Sequence, residues 1–499
     1  MSELSDNPEP TFVPAATRVK GEGEDRVTKA EDKVKFSEKS ALGLGYFSQF
    51  FGNIAVNSFA VPVYQMTLAL NPVLLGVALS VPRLWDAFTD PLMGFVSDNL
   101  HTRWGRRRPL IVIGAVLQGL AFGLIWMVPG GLSESWMVGY LITTLIIYYT
   151  CYTVFSVPLT ALTLEMTPDY KERTRVMAFC GFFSKVGEAG YQWLFFLASL
   201  PFFITAAKWW GSSEEELFGI RAVGWLVGIV ILAGFGMIPG FFVKERYYAK
   251  VTSKQNKVKF WVSVKHSLRN RAFVVLISLT ALQIVAGMFA SSTDYYLIVY
   301  YMFDGDIAEG SKWKGILSTG YAVVGMLSLY PVNWLANKFG KRTALAIIFG
   351  MVFVGSIGKW VLYTPGNPWK ILIDPIFCGP IWIAITVLLP SMVADVCDDD
   401  ELRHGQRREG MFSCVYLWVQ KVGYSASILG MGLALQISGF NAELGGEQSD
   451  ESILTLRLFL SISTAVWALL AMVVLVFYPL TRQKAYDIRD ALEERRGAV

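Results

Sequence analysis

The sequence predicts an all-α membrane protein with about twelve transmembrane helices in two six-helix bundles. Three observations carry that expectation. The 499 residues are 53% hydrophobic and only 17% charged, with a mean hydropathy of +0.43, too apolar for a soluble chain of this length. Apolar runs of about 20 residues, enough to cross a bilayer core, recur along the chain. A long basic segment, 244–271, divides those runs six and six.

Taken in order, residues 1–39 are polar, contain Pro8, Pro10 and Pro14, and read as a disordered cytoplasmic tail. Six spans follow, at roughly 41–69, 73–97, 109–130, 135–162, 176–204 and 219–243, an N-terminal bundle over 40–243. The central loop 244–271 carries nine Lys and Arg. Within it, KVKFWVSVKHSLRN from Lys257 interleaves basic residues with Phe260, Trp261, Val264 and Leu268. That is the pattern of a helix lying on a membrane surface. The second six spans, at roughly 272–303, 313–336, 343–363, 369–394, 411–437 and 454–480, make a C-terminal bundle over 272–480, and 481–499 form a second tail. Short basic turns with glycine recur at matching places, Arg103–Arg107 and Lys338–Arg342, as an internal repeat requires.

Charge placement sets the orientation. Loops 98–108, 163–175, 244–271 and 337–342 and the loop before span eleven are basic, whereas 438–453 has four acids and no base. The positive-inside rule then puts the basic loops and both termini in the cytoplasm, and the chain in the cell membrane as a multi-pass protein.

The densest chemistry lies in RLWDAFTDPLMGFVSDNLHTRWGRRR, Arg83 to Arg108. Asp86 and Asp90 are four residues apart and share a helix face with Thr89, one turn after Arg83. Ionisable groups at that depth are costly, about 2.5–3.5 kcal/mol each on insertion scales. An oxygen-rich face of this kind suits a hard cation that is carried across, Na⁺ or H⁺. Pro91 is expected to loosen the helix beside the pair. Thr153, Ser156 and Thr160 present hydroxyls on one face of span four. Thr153 is expected to add an oxygen to the cation site, and Ser156 and Thr160 to face a substrate, against the alternative that such hydroxyls bond back to their own helix.

Lys421 lies about ten residues into span eleven, too deep to snorkel, so it should serve as counter-charge to the aspartates or donate to a substrate. Arg83, Asn53, Trp418 and Trp382 complete the expected substrate-binding set. Lys185 with Glu188, and Asp294, Lys359 and Asp374, stay open between structural and functional roles. The segment ADVCDDDELRHGQRREG, 394–410, reads as a gate in which Asp398, Asp399, Arg407 and Arg408 exchange partners with Arg106 and Arg107 of the other half.

Five cysteines without metal-finger spacing, and no HExxH, Ser–His–Asp order or phosphate-cradling loop, argue against an enzyme, a bound cofactor or a resident metal. Nucleic-acid binding is a poor fit for a basic patch between membrane spans.

RLWDAFTDPLMG, TRWGRRRP, TVFSVP, DDELRHGQRREGMF and QKVG together resemble the glycoside–pentoside–hexuronide:cation symporters, the family of the melibiose carrier within the major facilitator superfamily. The resemblance runs from about residue 40 to 480. It implies the major facilitator fold and cation coupling through Asp86 and Asp90. Thr89 stands where the melibiose carrier has asparagine. Thr153 and Lys421 match its helix-four threonine and helix-eleven lysine. The sugar-holding carboxylates of helices one and four are replaced, by residues near Phe50 and by Ser156, and a helix-five arginine by Gly181. The cation half looks kept and the sugar half rewritten. The expected activity is uptake of a sugar or glycoside with Na⁺ or H⁺ by alternating access, in a monomer. A lysophospholipid carrier and a non-transporting sensor or scaffold are the alternatives.

Overall fold

A computed structural model describes residues 33–100, 102–167, 170–210, 215–245, 268–404 and 409–496. The expected surface helix from Lys257, most of the N-terminal tail, and Arg407 and Arg408 of the expected gate lie outside the described residues.

Among the described residues the chain is helical throughout, without strands. We label the rods in chain order. The first half contains α1 (Phe36–Ala60, continued by a wider turn to Thr67), α2 (Pro72–Asn99), α3 (Arg108–Ile125) and α4 (Glu134–Leu164). It continues with α5 (Tyr170–Gly190, running on through Leu194–Ala198), a short α6 (Pro201–Trp210) and α7 (Leu217–Phe242). The second half contains α8 (Arg271–Met302), α9 (Ile307–Phe339), α10 (Lys341–Leu362), α11 (Pro368–Arg403), α12 (Glu409–Ile437) and α13 (Asp450–Val476). A last helix, α14 (Arg482–Arg496), ends the described chain.

Local chemistry starts and stops these rods. The Asn71 side chain accepts from the Val73 amide at 2.9 Å and Pro72 occupies the first turn of α2, where its missing N–H costs nothing. Asp306 caps α9 by accepting from the Glu309 amide at 3.0 Å. Gly340, at φ 89°, makes the turn from α9 to α10, a conformation that side chains with a Cβ avoid. α2 runs unbroken through Pro82 and Pro91, so the loosening expected at Pro91 does not occur; the freed carbonyl groups sit inside a continuous helix.

Each half has its own core. Phe122, Trp126, Tyr148, Tyr149 and Leu232 are buried in the first, and Phe273, Phe349, Phe412 and Leu345 in the second. Glycines permit the tightest crossings. A Cβ on Gly119 of α3 would lie 2.3 Å from the Gly228 carbonyl oxygen of α7, and the reverse holds at Gly228. α14 docks by Ile488 and Leu492 on the same core as Val396 and Cys397 of α11.

The halves meet mainly along α2 with α12 and α5 with α9. At the end away from the basic loops this seam is closed. A Cβ on Gly432 would lie 2.6 Å from the Pro72 carbonyl oxygen, and Tyr296 of α8 donates its hydroxyl to the Gln65 side chain. Below this closure a cavity of about 410 Å³ separates the halves, and its wall extends to the exposed Pro390 and Leu417 toward the basic end. A smaller cavity of about 100 Å³ lies nearer the closed end.

Candidate functional site

α2 and α4 bring the expected oxygens together. Thr153 Oγ1 donates to Asp86 Oδ1 at 2.8 Å and stands 3.3 Å from Asp90 Oδ1. Thr89 Oγ1 lies 3.3 Å from Thr153 Oγ1 and bonds the Asp86 carbonyl at 3.2 Å. Asp86 is only 2% exposed, while Asp90 keeps 34% of its side chain accessible. The four residues form one cluster because i, i+3 and i, i+4 positions on α2 face a single turn of α4.

Lys421 completes the cluster from the other half. Its Nζ lies 2.9 Å from Asp86 Oδ2 and also pairs with Asp90 Oδ2. One ammonium therefore bridges two carboxylates across the seam between α2 and α12. Arg83, one turn before Asp86 on α2, is held by other partners. The Arg83 guanidinium donates to Asn53 Oδ1 at 2.5 Å and to the Asn53 carbonyl, and stacks over the Tyr149 ring at 4.5 Å. Arg83 and Asn53 both line the smaller cavity, with Gln65, Ser291 and Tyr295.

The hydroxyls further along α4 turn elsewhere. Thr160 Oγ1 donates to the Ser156 carbonyl at 3.0 Å and accepts from Gln49 Nε2 at 3.1 Å. Ser156 is buried and is part of neither cavity wall. For Thr160 this is the back-bonding alternative. Gln49 was not singled out, because an amide in a helix carries no spacing signal of its own. Trp382 does line the larger cavity; Trp418 is half-buried one turn before Lys421 and lines neither.

The larger cavity collects Lys185, Glu188, Asp294 and Lys359 of the ionisable residues left open above, with Asp374 behind its wall. Lys185 pairs with Glu188 at 2.5 Å. Asp294 pairs with Lys314, and Lys359 lies 3.3 Å from Asp374. Lys314 was missed because span eight was expected to begin at about residue 313; α9 begins at Ile307, which places Lys314 two turns inside the helix.

Several residues of the expected gate have close partners. Arg106 and Arg107 both reach Glu165, at 3.0 and 2.7 Å, and their backbone amides donate to Glu245 at 3.0 and 2.8 Å. Asp399 accepts from Arg403, 2.9 Å away and one turn along its own helix. Lys341 pairs with Asp395 at 2.6 Å. Each of these bonds lies within one half.

Comparison with known proteins places this geometry. Residues 42–482 match the model of a family described as MFS/sugar transport proteins. The isoprimeverose transporter of Lactiplantibacillus pentosus is 24% identical, the match covering 83% of this chain and 82% of that one. The sodium-dependent lysophosphatidylcholine symporter 1 of Gallus gallus is 26% identical over 88% and 85% of the two chains. Among solved structures, a bacterial homolog of the human lysosomal transporter Spinster, inward-facing and unoccupied, superposes with a TM-score of 0.64 at 16% identity, covering 92% of this chain and 99% of that one. That likeness concerns the fold.

Proposed function

Since the chain belongs to the MFS/sugar transport protein family, we propose that it is a secondary active symporter coupling a sugar or glycoside to Na⁺ or H⁺. The observation that carries the reading is Lys421 lodged between Asp86 and Asp90 with Thr153 beside them. The ammonium stands where a transported cation would be held by the same oxygens. A cation that takes the carboxylates releases Lys421, and with it a charge contact across the α2–α12 seam. Ion binding thereby changes how strongly the halves are held together, which is what coupling in an alternating-access carrier requires.

The same reading places the basic end in the cytoplasm, from the distribution of Lys and Arg, and makes the larger cavity the substrate chamber, open to that side. A chamber walled by Lys185, Glu188, Asp294, Lys314 and Lys359 favours a hydroxylated solute over an acyl chain, because unpartnered buried polar groups are costly. The lysophosphatidylcholine relative keeps a lipid headgroup as the alternative cargo. The carrier is read as a monomer.

The test is uptake into proteoliposomes of radiolabelled pentosides, glucuronides and lysophosphatidylcholine under an imposed Na⁺ or pH gradient. Accumulation of a glycoside above equilibrium is expected in the wild type, and its loss in both Asp86→Asn and Asp90→Asn. Accumulation by both variants at the wild-type level overturns the cation-site assignment.

A further inference from the structure

We propose that the polar group of the substrate is held in the C-terminal half, by Lys359 with the Asp294–Lys314 pair beside it and Trp382 as the apolar wall. This rests on the symporter reading and goes beyond it by naming the substrate's contacts.

The argument starts from what each lysine of the larger cavity already bonds. Lys314 is complete: its ammonium donates to Asp294 Oδ1, to the Ser291 carbonyl at 2.8 Å and to Ser291 Oγ at 3.3 Å, three acceptors for three N–H groups. Lys185 has Glu188 one turn away at 2.5 Å. Lys359 is different. It is 4% exposed, yet it forms part of the cavity wall. Among the described residues its one ion-pair partner is Asp374, at 3.3 Å. That partner is shared, since the same Asp374 Oδ2 also takes the hydroxyls of Tyr321 at 2.9 Å and Tyr363 at 2.8 Å. Asp374 is fully buried behind the wall and is not itself part of it. Lys359 is therefore anchored from behind by one contact, with N–H groups left over at the edge of a water-accessible chamber. Buried donors without acceptors are costly. Here the chamber can supply an acceptor, and the acceptor it calls for is an oxygen.

The surroundings fit a small carbohydrate. Asp294 can accept from hydroxyls and Lys359 can donate to them, so one face offers both senses of hydrogen bond. Trp382 lies against Gly287, where a Cβ would meet its ring at 3.0 Å, and it presents an aromatic surface of the kind that packs on apolar ligand faces. The volume of about 410 Å³ falls in the range of small-ligand sites, roughly 300–1,000 Å³. The N-terminal half contributes Phe50, Tyr191, Gln192 and the self-paired Lys185 and Glu188, and Ser156 is absent from the wall. In the C-terminal half the wall has one carboxylate, Asp294 on α8.

The oxygen on Lys359 can belong to a hydroxyl or to a carboxylate, and the test separates them. Lys359→Met alone strands the buried Asp374 charge and can fail to fold, so the informative variant pairs it with Asp374→Asn. Purified full-length protein in sodium chloride is titrated calorimetrically with methyl xyloside, methyl glucuronide and lysophosphatidylcholine. The wild type should bind a glycoside, and the paired variant should bind it at least about tenfold more weakly. Loss confined to the glucuronide assigns Lys359 to a carboxylate; equal loss for both assigns it to a hydroxyl; either supports the subsite. Undiminished glycoside binding by the paired variant overturns it, as does a wild type that binds neither glycoside. The rise in unfolding temperature caused by Na⁺ without any solute reports the Asp86–Asp90 site and should be the same in both proteins. Its absence from the wild type, together with no effect of pH on the unfolding temperature that Asp86→Asn removes, would instead locate the failure in the proposed coupling.

Discussion

Lys421 and Glu172 show how single charges are kept in this protein. A lysine at mid-membrane depth needs an acid, and Lys421 has two. Its depth and that of Asp86 and Asp90 were legible in the sequence, since helical spacing and distance from the span ends suffice. Their mutual contact was one of two roles open to Lys421, and spacing could not choose between them, because it joins helices more than 330 residues apart and no local pattern encodes a register between α2 and α12. Glu172, before the membrane part of α5, is a latch of another sort. It accepts from the Val34 amide at 3.1 Å and pairs with Lys39 at 2.6 Å. Burial by itself raises such a carboxyl. The bond from the Lys39 ammonium, the Val34 amide and the charge of Lys39 outweigh burial and hold Glu172 below the usual carboxylate range. Its folded pKa is thus the lower one, so the stabilisation is full above the unfolded value, about 4.3, and is lost as pH falls through the folded value. A cysteine at Val34 should be slow to react with maleimide at neutral pH, and Glu172→Gln should speed that reaction severalfold. Equal rates in the two proteins would show that the latch holds nothing.

Among the helices, the informative ones are those least suited to a bilayer. Eight rods of the described chain are long and apolar enough to cross a membrane, and a ninth span arises if α5 and α6 are counted together. α1, α2 and α12 fall outside that set, and they carry Asn53, Arg83, Asp86, Asp90 and Lys421. Polarity that weakens the membrane signal of a helix is the signal of the site, which is why pattern reading found both the rods and most of the cation cluster. It failed at helix ends: six residues of error at the start of α9 moved Lys314 from two turns inside the helix to the very start of the expected span. Helix crossings give a further test. Gly119→Val pushes a side chain into the Gly228 backbone and should destabilise the α3–α7 contact by about 1–3 kcal/mol, as overpacking does. The measurement is the loss of folded, monodisperse protein on heating in detergent; Gly350→Val, where a Cβ meets nothing within 4 Å, is the control expected to behave as wild type.

For the whole molecule, the closed end of the seam is the feature that sets the state. Gly432 against Pro72 and Gln65 with Tyr296 bring the halves together there, while the opposite end keeps the large cavity. Gly432→Val cannot keep that approach without moving backbone and should shift the population toward carriers open at that end. Cysteines placed at Ser292 and Gln65, on the smaller cavity's wall, should then label faster from outside intact cells; unchanged labelling would show that the close approach is not part of the closure.

The bridge at Lys421 has an electrical consequence. With both acids ionised, two carboxylates and one ammonium sum to one negative charge, and a bound monovalent cation brings the cluster to zero. On the proposed cycle the laden carrier then crosses as a neutral unit at this point, and the voltage acts on the return of the unladen one. That stroke is worth about 2.3 kcal/mol per 100 mV if the charge traverses the full field. An interior-negative membrane drives it in the useful direction, so the resting potential resets the carrier rather than pulling in its load.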